Sequence, residues 1–93
     1  MTQDLSPFRD RIDALDDQIV ALLAERLAVC AEVGHFKAAH GMAVMQPDRV
    51  AQVKERNAAR GAKAGLRPDF TRALYGLIID EACRLEDEIL DDG

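Results

Sequence analysis

From Leu5 to His40, alternating steps of three and four residues land on Leu5, Phe8, Ile12, Leu15, Ile19, Leu22, Arg26, Val29, Val33, Phe36 and His40. That spacing is the seam of a coiled coil, apolar side chains recurring along one edge of a single long helix. Ser6-Pro7 supplies the start, a hydroxyl N-cap followed by proline in the first turn, and Gly41 is a natural stop just past the last seam position. A helix over 7–40 would be about 51 Å long. A compact globule of 93 residues has a radius of gyration of only about 12 Å. The helix must therefore protrude, and its seam needs a second chain.

One seam position is charged. Every residue down to Leu22 is apolar, and then Arg26 stands in the row. Burying a guanidinium without a partner costs several kcal/mol or more, so something anionic is expected to meet it. Lys37 follows about three turns later on nearly the same face, roughly 16 Å along the axis. Two cations thus point into an apolar seam with room for a small dianion between them. Gly34, inside the same helix, costs about 1 kcal/mol relative to alanine. It marks either a close approach by another backbone or ligand, or a glycine that is simply tolerated.

Beyond the loop 41–46, Pro47 opens a second helix over 47–63, with Asp48 in its favourable first turn and Val50 and Val53 facing inward. Its other face is basic, with Arg49, Lys54, Arg56, Arg60 and Lys63. A third helix over 68–91 carries Phe70, Leu74, Leu77, Ile78 and Leu85 on its expected core side and ends in a run of acids. One acid there is unlike the rest. Tyr75, Ile79, Ala82 and Glu86 follow steps of four, three and four, which sets Glu86 on an otherwise apolar or small stripe. Desolvation and the neighbouring Asp87 and Glu88 favour its neutral form, able to donate a hydrogen bond. The competing expectation is a carboxylate paired with a lysine or arginine.

At 93 residues, 48% hydrophobic, the chain reads as one domain spanning 1–93, near the size where a lone core is marginal. Cys30 and Cys83 sit in helical patterns, and neither a secretory signal nor a long apolar span is present, so a reduced, cytoplasmic protein is expected. A net charge of -5 argues against general binding to nucleic acid or an anionic membrane. The basic second helix has no interleaved aromatics for base stacking and reads as a solvated face. His35 and His40 lie on different faces and form no metal spacing with Cys30. No serine or cysteine has a base at a motif spacing, and no glycine-rich phosphate loop occurs. No cofactor is expected.

Taken jointly, Arg9, Ala14-Leu15-Asp16, Leu22-Leu23-Ala24-Glu25-Arg26, Val33-Gly34-His35-Phe36-Lys37, Arg49, Ile78-Ile79 and Glu86 make a pattern that resembles the all-helical class of chorismate mutases. The resemblance runs from residue 5 to 90 without obvious gaps. It implies an all-α fold, three helices per chain with a very long first helix, in an intertwined homodimer whose two sites each draw on both chains. Arg9 then matches the arginine that reaches in from the partner, and Arg26, Lys37 and Arg49 match those of the same chain. Arg9 is about 25 Å from Arg26 along one helix, a gap no single small ligand closes without a second copy.

The chemistry this resemblance implies is the 3,3-sigmatropic rearrangement of chorismate to prephenate, an isomerisation that breaks a C–O bond as a C–C bond forms. It requires no nucleophile, proton transfer or metal, only a held conformer and stabilisation of charge on the breaking ether. Arg26 and Arg9 would clamp the carboxylates of a dicarboxylate substrate; Lys37 and a protonated Glu86 would donate to the ether oxygen. Ala82 falls among the substrate-binding positions.

The chain departs from the commoner family pattern at Glu86, where many members have glutamine, and at Gln46 and Val50, where many have acids near the ring C4 hydroxyl. Met45-Gln46-Pro47, Arg49-Val50 and Cys83-Arg84-Leu85-Glu86-Asp87 are similar to a subgroup acting on 4-amino-4-deoxychorismate. The Pro47 to Val50 segment is also similar to isochorismate pyruvate lyases. From a different class stands a non-catalytic dimerisation module, in which Arg26 and Lys37 pair with acids of the third helix such as Asp80 or Glu81.

Overall fold

A proline near the start of each helix and left-handed glycines after the first two divide the chain into α1 (Ser6–His40), α2 (Pro47–Lys63) and α3 (Pro68–Asp92). The computed structural model describes residues 4–92, so the outer ends of the expected 1–93 domain lie outside the described residues. The described residues contain no strand. None of these helices is long and apolar enough to cross a membrane.

The start of α1 differs from the expected hydroxyl cap. Ser6 lies inside the first turn and makes no capping bond; instead Asp4 Oδ1 accepts from the Ser6 amide at 2.9 Å and from its hydroxyl at 2.7 Å. A carboxylate two residues upstream reaches the unsatisfied amide, and the serine becomes the donor. These bonds hold the Asp4 carboxyl below the usual carboxylate range. At the other end Gly41 takes the left-handed conformation, φ 63° and ψ 32°, and donates its N–H to the Lys37 carbonyl. The chain then turns back toward the Lys37 side chain.

Both α1 and α2 pack on α3 and not on each other. Where they meet α3 the buried residues are small: Gly34, Ala58, Gly61, Thr71 and Ala82, with Val53 and Ile79. Gly61 shows why, since a Cβ there would sit 2.9 Å from Thr71 Oγ1. The resulting body is flat and long, 65 × 27 × 14 Å, with a radius of gyration of 17.2 Å.

Most of the seam is bare. Phe8, Ile12, Leu15, Ile19 and Leu22 are all more than half exposed, Phe8 at 58% and Ile19 at 54%. The expected core side of α3 is likewise corrected, because Phe70, Leu74 and Leu77 are exposed and the buried face is Thr71, Ile79, Ala82 and Glu86. The helix carries two apolar stripes, and within one chain α1 and α2 cover only the one built of small residues. The other stripe, with Leu74, Leu77 and Ile78, faces Val20, Leu23 and Leu27 of α1 across an open groove of about 490 Å³.

Candidate active site between the three helices

Because α1 and α2 stand apart on α3, a pocket of about 110 Å³ opens between them with α3 as its floor. Ile79, Ala82, Cys83 and Glu86 come from α3, while Arg26, Cys30 and Lys37 come from α1. Val44 and Gln46 on the connecting loop, with Arg49, Val50 and Val53 of α2, complete the wall. Seven of the sequence-derived positions, Arg26, Lys37, Gln46, Arg49, Val50, Ala82 and Glu86, are thus brought together. Arg9 is not; it is exposed in the first turn of α1, far from Arg26 along the helix.

Lys37 Nζ donates to Glu86 Oε1 at 2.7 Å and to the Val44 carbonyl at 2.8 Å. The side chains are 11% and 7% exposed, so this is a largely buried ion pair. Of the two expectations for Glu86, the ligand-free chain realises the carboxylate paired with a cation. Such a pair holds its geometry well and adds little net stability, because desolvation offsets most of the attraction. An ammonium has three donors, so one N–H of Lys37 remains for the pocket.

Gly34, one turn before Lys37, resolves in favour of close approach. A Cβ at this position would meet Glu86 Cγ and Ile89 Cδ1 at 3.2 Å and the Glu86 Cα at 3.3 Å. Gly34→Ala should therefore push α3 outward by a few tenths of an ångström. The gain in helix propensity, about 1 kcal/mol, is set against overpacking of about 1–3 kcal/mol. We expect a melting temperature a few degrees lower, and turnover reduced about tenfold as Glu86 leaves its register with Lys37. Thermal denaturation and steady-state rates on the same sample check both.

Arg26 is half-buried and meets no carboxylate among the described residues. Its neighbours are Cys30 Sγ, 3.8 Å from Nη1, and the Tyr75 ring, whose centroid lies 6.0 Å from Cζ. The acids a purely structural pairing would use are not there: Glu81 is bound by Arg84, and Lys37 pairs with Glu86 and not with Asp80 or Glu81. Arg49 is exposed and donates to Gln52 Oε1 at 2.8 Å. Gln46 donates Nε2 to the Ala43 carbonyl at 2.9 Å, which holds the amide and leaves its Oε1 without a protein donor.

Cys30, Val44, Val53, Ile79 and Cys83 line the pocket without having been singled out as site residues in the sequence. Cys30 was within reach of helical spacing, four residues after Arg26 on the same face. The Val44 contribution is a backbone carbonyl, which leaves no side-chain signal. Burial pushes the Cys83 thiol up, and the Glu86 carboxylate adds to this, so the thiol stays protonated and is a poor nucleophile. Among the described residues no cluster of His, Cys, Asp and Glu suits a metal ion. The arrangement can bind an anion and donate hydrogen bonds to it.

Such a three-helix pocket, cationic on α1 and floored by a buried glutamate, fits the comparison with known families. The chain belongs to the chorismate mutase type II family, whose model matches residues 8–87, and is an isomerase of that class. It is 41% identical over 92 residues to a 4-amino-4-deoxychorismate mutase of Streptomyces pristinaespiralis, covering 99% of this chain and 71% of the relative. A 4-amino-4-deoxychorismate mutase of Streptomyces venezuelae is 37% identical, with 94% of this chain and 84% of the relative covered. The bifunctional chorismate mutase/prephenate dehydratase of Escherichia coli is 33% identical over 92% of this chain, which matches only 22% of that longer protein.

Proposed function

We propose that the chain rearranges 4-amino-4-deoxychorismate by a 3,3-sigmatropic shift, in a homodimer whose intertwined α1 helices lend Arg9 of each chain to the partner's site. The observation that carries the reaction is Arg26, half-buried on the pocket wall with no carboxylate partner among the described residues, about three turns along α1 from a lysine that retains a free N–H. A substrate carboxylate is the natural counter-ion. Arg26, with Arg9 of the second chain, clamps the carboxylates and holds the reacting carbons in the folded conformer. Lys37 donates its third N–H to the ether oxygen, where negative charge grows as the C–O bond breaks. Arg49 lies at the rim of the same anion site.

Support for the amino substrate comes from the ring end of the pocket. Gln46 offers a neutral carbonyl acceptor and Val50 an apolar wall where an acid pair would suit a hydroxyl, and the two Streptomyces relatives bear the amino substrate in their names. Chorismate is the second reading, favoured by the family as a whole. The dimer is supported by the bare seam of α1 and by the 25 Å or so that separate Arg9 from Arg26 along one helix.

Glu86 faces the same ether oxygen, and only its protonated form donates. Glu86 Oε1 accepts from Lys37 at 2.7 Å, so donation to the ether requires a proton on the second carboxyl oxygen. The sign follows: turnover falls as pH rises. Glu86→Gln donates at every pH, so its profile is expected to be flat, while the unaltered protein loses up to about tenfold per pH unit on its alkaline side. Parallel pH–rate curves for the two proteins would remove Glu86 from this role.

The reaction itself is tested by offering purified protein 4-amino-4-deoxychorismate, chorismate and isochorismate side by side, following loss of the enolpyruvyl ether and release of pyruvate. Rearrangement of the amino compound with the highest kcat/KM is expected. Release of pyruvate would replace the mutase by a lyase, and absence of turnover on all three would leave only a dimerisation module.

A further inference from the structure

The chain carries a net charge of -5, yet one region of its surface is lined by four arginines and no acid. Arg49, Arg56 and Arg60 fall at steps of seven and four along α2, hence on one face of it. With Arg26 and Tyr75 they border an open depression of about 280 Å³. This depression shares Arg26, Arg49 and Val53 with the candidate active site, so the two are continuous.

None of Arg49, Arg56 and Arg60 enters an ion pair among the described residues. Glu55, the acid beside Arg56, is turned away to Arg72 of α3, from which it accepts at 2.7 Å, and Asp48, beside Arg49, does not line the depression. A row of unneutralised guanidinium groups on an acidic protein is unfavourable by itself, since like charges four residues apart on a helix repel. Base stacking offers no use for the row, because α2 contains no aromatic residue and the ring of Tyr75 at the depression lies against Arg26, its centroid 6.0 Å from Cζ. What the row does is make a local positive field at the mouth of a pocket that takes a dianion.

We propose that Arg56 and Arg60 form an approach ramp that gathers the dicarboxylate substrate by electrostatic attraction and passes it to Arg49 and Arg26. This rests on the dicarboxylate reading of the site given above. Neither residue lines the reaction pocket, so their effect falls on capture and not on the chemical step. The field reaches across the depression at low ionic strength, where the screening length is about 30 Å at 0.01 M, and is lost near 1 M, where it is about 3 Å.

The test is the salt dependence of the kinetic constants for the unaltered protein and for Arg56→Gln/Arg60→Gln. At low ionic strength kcat/KM should fall about tenfold in the double variant with kcat unchanged. The two proteins should converge at high salt, and the variant's plot of log kcat/KM against salt should be the shallower. Equal slopes, or a fall in kcat that persists at high salt, would overturn the ramp.

A second measurement needs no turnover. Titrating the free protein with malonate, a small dicarboxylate, should move the backbone amide signals around Arg56 and Arg60, and the double variant should lose that response. A flat response in the unaltered protein overturns the proposal while leaving the rearrangement intact. Malonate binding in a protein that rearranges none of the three substrates would instead overturn both the reaction and the ramp's assigned occupant.

Discussion

Replacing Arg26 with alanine is expected to lower kcat/KM by about a hundredfold to a thousandfold while costing little or nothing in folding stability. The two halves of that result come from the same geometry. Arg26 is half-buried beside Cys30 and Tyr75 with no acid to balance it, so the free chain loses no ion pair when the charge goes. Its stem does cover apolar surface, which limits any gain. In the proposed substrate complex, by contrast, the guanidinium meets a carboxylate in a partly desolvated pocket. Truncating one partner of such a pair costs about 2–5 kcal/mol. Urea denaturation and steady-state kinetics on the same preparation separate the two. A stability loss of about 3–5 kcal/mol would mark Arg26 as half of a structural pair supplied by another chain, and would sink the catalytic assignment.

Ile19→Glu should convert the protein to a monomer without turnover. Ile19 is 54% exposed in the single chain, so the substitution disturbs nothing within it. In a two-fold assembly the change enters the interface twice, and each carboxylate is buried against leucine and isoleucine at a cost of several kcal/mol. Size-exclusion chromatography with light scattering reads the state, and the same rate assay reads the consequence. Should the monomer fail to fold, complementation addresses the shared site directly. Arg9→Ala and Arg26→Ala would each be inactive, because every site lacks one clamp. Unfolded together and refolded at equal concentration, they should recover about a quarter of the unaltered activity, from mixed dimers with one intact site each. No recovery would place Arg9 outside the partner's site.

Much of the fold was legible because its strongest signals are periodic. A seam kept in step from Leu5 to Phe36 demands a helix too long for a compact chain of this size, and the observed 65 Å length follows from it. Proline at residues 7, 47 and 68 and glycine at 41 and 65 mark the breaks, since each acts through its own backbone. Arg26 and Glu86 were each legible as exceptions for a related reason, since a charge in an apolar row is costly enough to need explaining, whereas their gathering with Lys37 was implied only by the family resemblance. Less was readable where two side chains or two faces compete. Glu86 had a neutral and a paired form open to it, and its contact with Lys37 depends on Gly34 letting α3 come within van der Waals range. The buried face of α3 was misjudged because large apolar residues were weighed above small ones.

Sequence alone therefore determined the three helices and the protruding α1, because each depends on spacing within one helix or on a single residue's backbone, while Gln46, Arg49, Val50 and Ala82 came only through the family resemblance. Tertiary structure decided the rest. Only the packing of α1 and α2 on α3 without contact between them leaves room for a pocket, and only the turn after Gly41 brings the Val44 carbonyl to Lys37. Those contacts join residues distant along the chain, and their energies hinge on ångström-scale approach, which no local pattern encodes. The same holds for the arginine row of α2. In sequence it is an ordinary charged face, and it becomes the rim of a site only when α3 sets it beside Arg26.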